Sequence, residues 1–173
     1  GPELHGRQRK VIESLSASPS DPLAQGYRLR RATLLDIRAV HRLEQVIFPR
    51  DAYPYFDLFM LFVWPRVINL KVAAPDGSLA GFVSAVRVPL RDRAWIITLG
   101  VDPAHQHRGI GRLLLETSEK RLNVPCVRLT VRDGNTPAMT LYRHAGYTVI
   151  ERKFGYYRDG ETGLVMEKLL PES

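Results

Sequence analysis

The sequence predicts an α/β fold, a mixed β-sheet with helices on both faces, and three observations carry that prediction. Two helical patterns come early, three strand-like segments follow with no helix between them, and helices and strands then alternate to the end. The resulting order, β-α-α-β-β-β-α-β-α-β-β, calls for one layered domain.

The elements follow from local chemistry. Residues 27–32 alternate like an edge strand, and Thr33 is placed to cap a helix whose apolar positions include Leu35, Ile37, Val40, Leu43 and Ile47, ending at Phe48-Pro49. Pro54 and Pro65 fence a second, short helix over residues 55–64. Residues 67–73, 79–88 and 93–101 are rich in β-branched and aromatic side chains, with a Pro75-Asp76-Gly77-Ser78 turn between the first two. A helix is expected over residues 109–122, a strand at 127–131, a helix at 136–144, and strands at 147–154 and 164–169.

The 173 residues, 45% hydrophobic, suffice for one core, expected over residues 27–171. Residues 1–26 read as a flexible basic extension: Gly1-Pro2, with no initiator Met, resembles the scar of a tag-removing protease, a short basic helix carries Arg7, Arg9 and Lys10, and residues 14–22 are linker-like. The longest apolar run, residues 56–64, is far short of the roughly 20 residues of a membrane helix, so a soluble protein without membrane partners is expected. A lone Cys126 excludes a disulfide framework and points to the reducing cytoplasm; the five histidines show no ligand spacing, and no metal is expected. The net charge of +7 is scattered rather than striped, which speaks against direct nucleic-acid binding and suits a polyanionic nucleotide cofactor.

The strongest motif reads as strand, turn, glycine loop and helix: Leu99-Gly100-Val101, then Gln106-His107-Arg108-Gly109-Ile110-Gly111-Arg112. Glycines opening a helix let unpaired backbone N–H groups converge on a phosphate, with the helix dipole adding favourable potential. A Walker loop would need Lys-Ser or Lys-Thr after the second glycine, where Arg112-Leu113 stands, and a dinucleotide fingerprint would need a third glycine.

This stretch resembles the coenzyme A motif of the GNAT superfamily, QxxGxG, carried by Gln106, Gly109 and Gly111. Asn135, Ala138 and Leu141-Tyr142-Arg143-His144-Ala145-Gly146-Tyr147 resemble its second motif, and the similarity covers roughly residues 27–169. The resemblance implies a mostly antiparallel sheet with a V-shaped splay between two parallel central strands. Acetyl-coenzyme A would lie in the V, held by Leu99, Gly100, Val101, the residues from Gln106 through His107, Arg108, Gly109, Ile110, Gly111 and Arg112, and by Asn135. Tyr142 would stand near the sulfur as the acid for the departing thiolate, or else pack as a core tyrosine.

The implied reaction is acetyl transfer to a primary amine by direct attack on the thioester. Relatives place a Glu or His where Thr130 stands and can carry a Tyr at Trp95, so the base is open; Asp51, on the loop after the first helix, is a candidate base or a solvated loop carboxylate. An α-amine, with a pKa of about 7.7 to 8.0, needs less help than lysine at about 10.4. Tyr156-Tyr157-Arg158-Asp159-Gly160-Glu161 and Phe48-Pro49 before Tyr53 resemble the peptide-contacting segments of protein N-terminal acetyltransferases, including those acting on ribosomal proteins. The expected acceptor is therefore a protein N-terminus, met by Phe48, Pro49, Tyr53, Tyr156 and Tyr157 in a monomer or homodimer. The alternatives are a small amine such as a polyamine, amino sugar or amino acid, and a non-catalytic acyl-coenzyme A binding module.

Overall fold

The computed structural model describes residues 21–171; the basic cluster at residues 7–10, and the linker segment apart from Asp21 and Pro22, lie outside the described residues. In chain order the elements are β1 (Arg28–Arg31), α1 (Ile37–Ile47), α2 (Tyr55–Val63), β2 (Val67–Ala73), β3 (Leu79–Arg87), β4 (Ala94–Val101), α3 (Ile110–Leu122), β5 (Cys126–Arg132), α4 (Thr136–His144), β6 (Thr148–Lys153) and β7 (Gly163–Leu169). This is the order read from the sequence. One detail differs at the start of α1. The helix is preceded by a 3-10 turn, Leu34–Asp36, and the Asp36 carboxylate closes it by accepting from the Thr33 backbone N–H at 2.8 Å.

The sheet runs β1-β2-β3-β4-β5-β7-β6, with β1 at one edge as expected. Every neighbouring pair is antiparallel except β4 and β5, whose parallel pairing needs the α3 crossover. Alternation along β3 sorts the two faces. Val83 and Ala85 join Leu114, Leu115 and Leu122 of α3 in the larger core, while Phe82 joins Val40 and Leu43 of α1 and Leu58 of α2 in the smaller one.

Two irregularities shape the middle of the sheet. Ser84 pairs with Thr98 but Ala85 pairs with Ile96, so Ile97 is an extra residue that bends β4. On its other side β4 pairs with β5 at Ala94–Val127 and Trp95–Arg128 alone, after which the two strands part. The V implied by the resemblance is thus present between the predicted strands.

Candidate active site

Where β4 and β5 part, a cavity of about 400 Å³ opens between them, lined on one lip by residues 95–99 and on the other by residues 129–132. Backbone N–H and C=O groups that would pair in a continuous sheet instead edge a slot, ready to bind an extended ligand. At the end of β4 the chain turns through a short 3-10 segment and enters the glycine loop. His107 and Gly109 both adopt left-handed backbone conformations, with φ of 61° and 84°. Such left-handed turns aim successive N–H groups at one point, at the N-terminus of α3. Gln106 braces the loop by donating from Nε2 to the Val101 carbonyl at 3.3 Å, while His107, Arg108 and Arg112 are exposed. Gly111 is required by packing as well, since a Cβ there would meet Leu141 at 3.1 Å. Gly100 has a different partner: its bare Cα admits Ile47 of α1, which a Cβ would approach at 2.7 Å.

Helix α4 carries two of the expected residues to the slot. Asn135 caps the helix, its side chain accepting from the Ala138 N–H at 3.3 Å, and lines the cavity. Tyr142 reaches the cavity from the α3 side of the sheet, only 7% exposed and edge-on to the Tyr147 ring. Among the described residues its hydroxyl makes no hydrogen bond. Burial, and then the proximity of Tyr157, push its pKa to about 12, so it stays protonated throughout the physiological range.

The opposite mouth of the cavity is closed by the α1–α2 loop and the β6–β7 hairpin. Phe48, Tyr53, Tyr156 and Tyr157 line it together, and Pro49 borders a smaller adjoining space. Arg132, at the end of β5 and 8% exposed, bolts the two walls together. Its guanidinium donates to both Asp51 oxygens at 2.5 and 2.7 Å and to Asp159 at 2.9 and 3.0 Å, and lies 4.0 Å over the Tyr157 ring. Arg50 also donates to Asp159, at 2.7 Å. Asp51, the candidate base, therefore has both oxygens engaged by a guanidinium, which leaves it poorly placed to accept a further proton.

Sequence reasoning missed Glu44 and Thr98. Glu44 of α1 lines the cavity from the face opposite Tyr142 and is 4% exposed. Its Oε1 accepts from the Thr98 hydroxyl at 2.6 Å. Oε2 has no hydrogen-bond partner among the described residues, while the nearby Tyr53 backbone favours the charged form of the carboxyl. Burial raises the Glu44 pKa above its ordinary value, and the Thr98 and Tyr53 contacts offset this only in part. The signal was available: with Ile37, Val40 and Ile47, position 44 falls on the apolar stripe of α1, where a charge is out of place.

Residues 36–147 match the profile of the acetyltransferase (GNAT) family. An N-alpha-acetyltransferase of Sulfurisphaera tokodaii is 28% identical over 154 residues, covering 81% of this chain and 91% of the relative. The ribosomal protein bS18-alanine N-acetyltransferase of Salmonella typhimurium is 35% identical over 126 residues, covering 70% and 81%. The crystal structure of the ribosomal-protein-S18-alanine N-acetyltransferase from Escherichia coli superposes with a TM-score of 0.76 at 25% identity, covering 85% of this chain and 96% of that one.

Proposed function

The chain belongs to the acetyltransferase (GNAT) family, and on that premise we propose that it transfers the acetyl group of acetyl-coenzyme A to the α-amino group of a protein or peptide N-terminus. The slot suits the donor on its own chemistry. The parted lips of β4 and β5, at Leu99 to Val101 and Leu129 to Arg132, offer backbone partners to an amide-bearing arm, and the left-handed turn at His107 and Gly109 suits a pyrophosphate. When bound, acetyl-coenzyme A supplies an activated acetyl thioester. Residues Gln106 to Arg112 hold the phosphate end, Asn135 steadies the donor from α4, and Tyr142 stands ready to give its proton to the departing sulfur.

The peptide acceptor is supported above all by the mouth opposite the slot. Tyr53, Tyr156 and Tyr157 offer hydroxyls for a peptide backbone, and Phe48 adds an apolar wall. Its charges are balanced, Glu44 and Asp51 against Arg132 and Lys153, with Asp51 already paired. Glu44 is the single lining carboxylate without an ion-pair partner among the described residues, whereas a polyamine with several cationic centres would favour a lining of several unpaired acids. The bS18-alanine enzyme of Salmonella typhimurium makes ribosomal N-termini sensible first acceptors.

The test is acetyl-coenzyme A turnover, followed by thiol release, against short peptides with free and with blocked α-amines, beside polyamines and amino sugars. Turnover confined to free-amine peptides is expected. Turnover on small amines alone would move the acceptor, and coenzyme binding without turnover would make the chain a binding module.

A second expectation separates the acceptor side from the donor side. A Cβ at Gly163 would lie 2.8 Å from Cδ1 and 3.0 Å from Cγ of Tyr156, so Gly163→Ala must push that ring from its place in the groove. We expect the KM for peptide to rise about fivefold, the loss of roughly 1 kcal/mol of contact, with the KM for acetyl-coenzyme A unchanged.

A further inference from the structure

Resting on the acetyl-transfer reading above, we propose that Glu44 is the group that takes the proton from the attacking α-amine, and that Thr98 is the positioning residue that holds its carboxylate. Neither Thr130 nor Trp95 can accept a proton near neutral pH, and Asp51 is engaged by Arg132. Glu44 lines the same cavity, with one oxygen fixed by Thr98 and the other free of donors among the described residues.

The geometry separates acid from base. Tyr142 belongs to the core on the α3 face of the sheet, whereas Glu44 comes from α1 on the other face, where the acceptor groove opens. An amine entering past Tyr53 and Tyr156 meets Glu44 on its own side of the slot, with Tyr142 across from it.

A polar row leads up to this carboxylate. Asn69, Ser84 and Thr98 stand side by side on β2, β3 and β4, on the face that packs against α1 and α2. The buried side-chain atoms without partners among the described residues, Asn69 Oδ1, Ser84 Oγ and Glu44 Oε2, all belong to it. A polar row through an apolar face is costly, and departures of this kind are expected at functional sites.

The step balances. The amine lone pair forms the C–N bond, the C–S bond breaks with its electrons on sulfur, Tyr142 gives its proton to that sulfur, and the proton leaving nitrogen goes to Glu44. Solvent then returns both side chains to their starting states. As the amine attacks, its proton becomes more acidic, and a carboxylate with a raised pKa is a better acceptor for it than an ordinary one.

The titratable and charged groups that line the cavity with Glu44 come from every element around it. Tyr53 and Asp51 face it from the α1–α2 loop, Arg132 from β5, Tyr142 from α4, and Lys153, Tyr156 and Tyr157 from the β6–β7 hairpin. Tyr53, Tyr142 and Tyr157 all have raised pKa values, and Asp51 is ion-paired.

The experiment uses the full chain, acetyl-coenzyme A, a peptide the wild type acetylates, and two variants. Glu44→Gln keeps the acceptor for Thr98 and should lower kcat about thirtyfold, below the usual range for general bases because an α-amine is already partly neutral. Its KM for acetyl-coenzyme A should not change, and the acidic limb of the kcat profile due to Glu44 should vanish. Thr98→Val removes a donor from the ionised carboxylate and should move that limb to higher pH. A third readout needs no coenzyme. Because the folded-state pKa of Glu44 is raised, its favourable contribution to stability is fully present below 4.5 and is lost as pH rises through the folded value. Thermal unfolding of Glu44→Gln should lack that slope.

A Glu44→Gln variant with wild-type kcat, or with reduced kcat and an unchanged acidic limb, overturns the proposal. A wild-type chain that acetylates no amine overturns the acetyl-transfer reading itself, and the unfolding slope still reports whether the carboxyl is perturbed.

Discussion

Tyr142→Phe should lower kcat by roughly 10²–10³-fold while leaving the fold and the KM for peptide nearly unchanged. The ring is what packs: it meets Tyr147 edge-on and closes the core beside Met139, and phenylalanine fills the same volume. On the proposed mechanism the hydroxyl is the proton donor: it reaches the slot with no partner among the described residues and stays protonated, with a pKa of about 12. Without that donor the sulfur must leave as an unprotonated thiolate, a poorer leaving group. A Tyr that served only to pack would lose its hydroxyl with little change in rate, so single-turnover kinetics with thermal unfolding of both proteins decides between the roles. The same pKa implies that Tyr142 adds no basic limb to the rate profile below about pH 10.

Replacing Arg132 should be nearly as damaging, by another route. Arg132→Leu leaves Asp51, Asp159 and Glu161 near one another without the cation that binds the first two at 3.0 Å or less. Their repulsion, with loss of the bed for Tyr157, should part the α1–α2 loop from the β6–β7 hairpin. We expect kcat/KM for peptide to fall about a hundredfold and Tm to drop, with acetyl-coenzyme A affinity, measured calorimetrically, close to wild type. Arg132→Lys should rescue little, because a single ammonium cannot grip two carboxylates with the paired geometry of a guanidinium. Recovery of full activity by lysine would mean that charge alone matters there.

Both variants bear on what the sequence made legible. Gly109 was legible as part of a helix-opening glycine loop, because a left-handed turn is a local demand met by a local residue. The short α2 was legible in Pro54 and Pro65 for the same reason. The parting of β4 from β5 was different: it depends on the Ile97 bulge and on which strands are neighbours, and it came from the family resemblance. Asp51 shows the limit most clearly. As a loop acid beside an arginine it reads as solvated or catalytic, but its partner Arg132 lies 81 residues away, and no local pattern brings them together. Glu44 was within reach, since its helical phase placed it among Ile37, Val40 and Ile47. What could not be read was that Thr98 would wait beneath it.

The two-residue seam between β4 and β5 has a consequence for how the molecule holds together. The antiparallel ladders run from β1 to β4 and from β5 to β7, and the backbone seam between these blocks is the pairs Ala94–Val127 and Trp95–Arg128. Side-chain packing beneath α3 carries the rest of the union, so the blocks are natural units of partial opening in amide exchange. A ligand bonded to both lips would act as a splint, and the donor substrate would thereby make two loosely coupled halves behave as a single cooperative body.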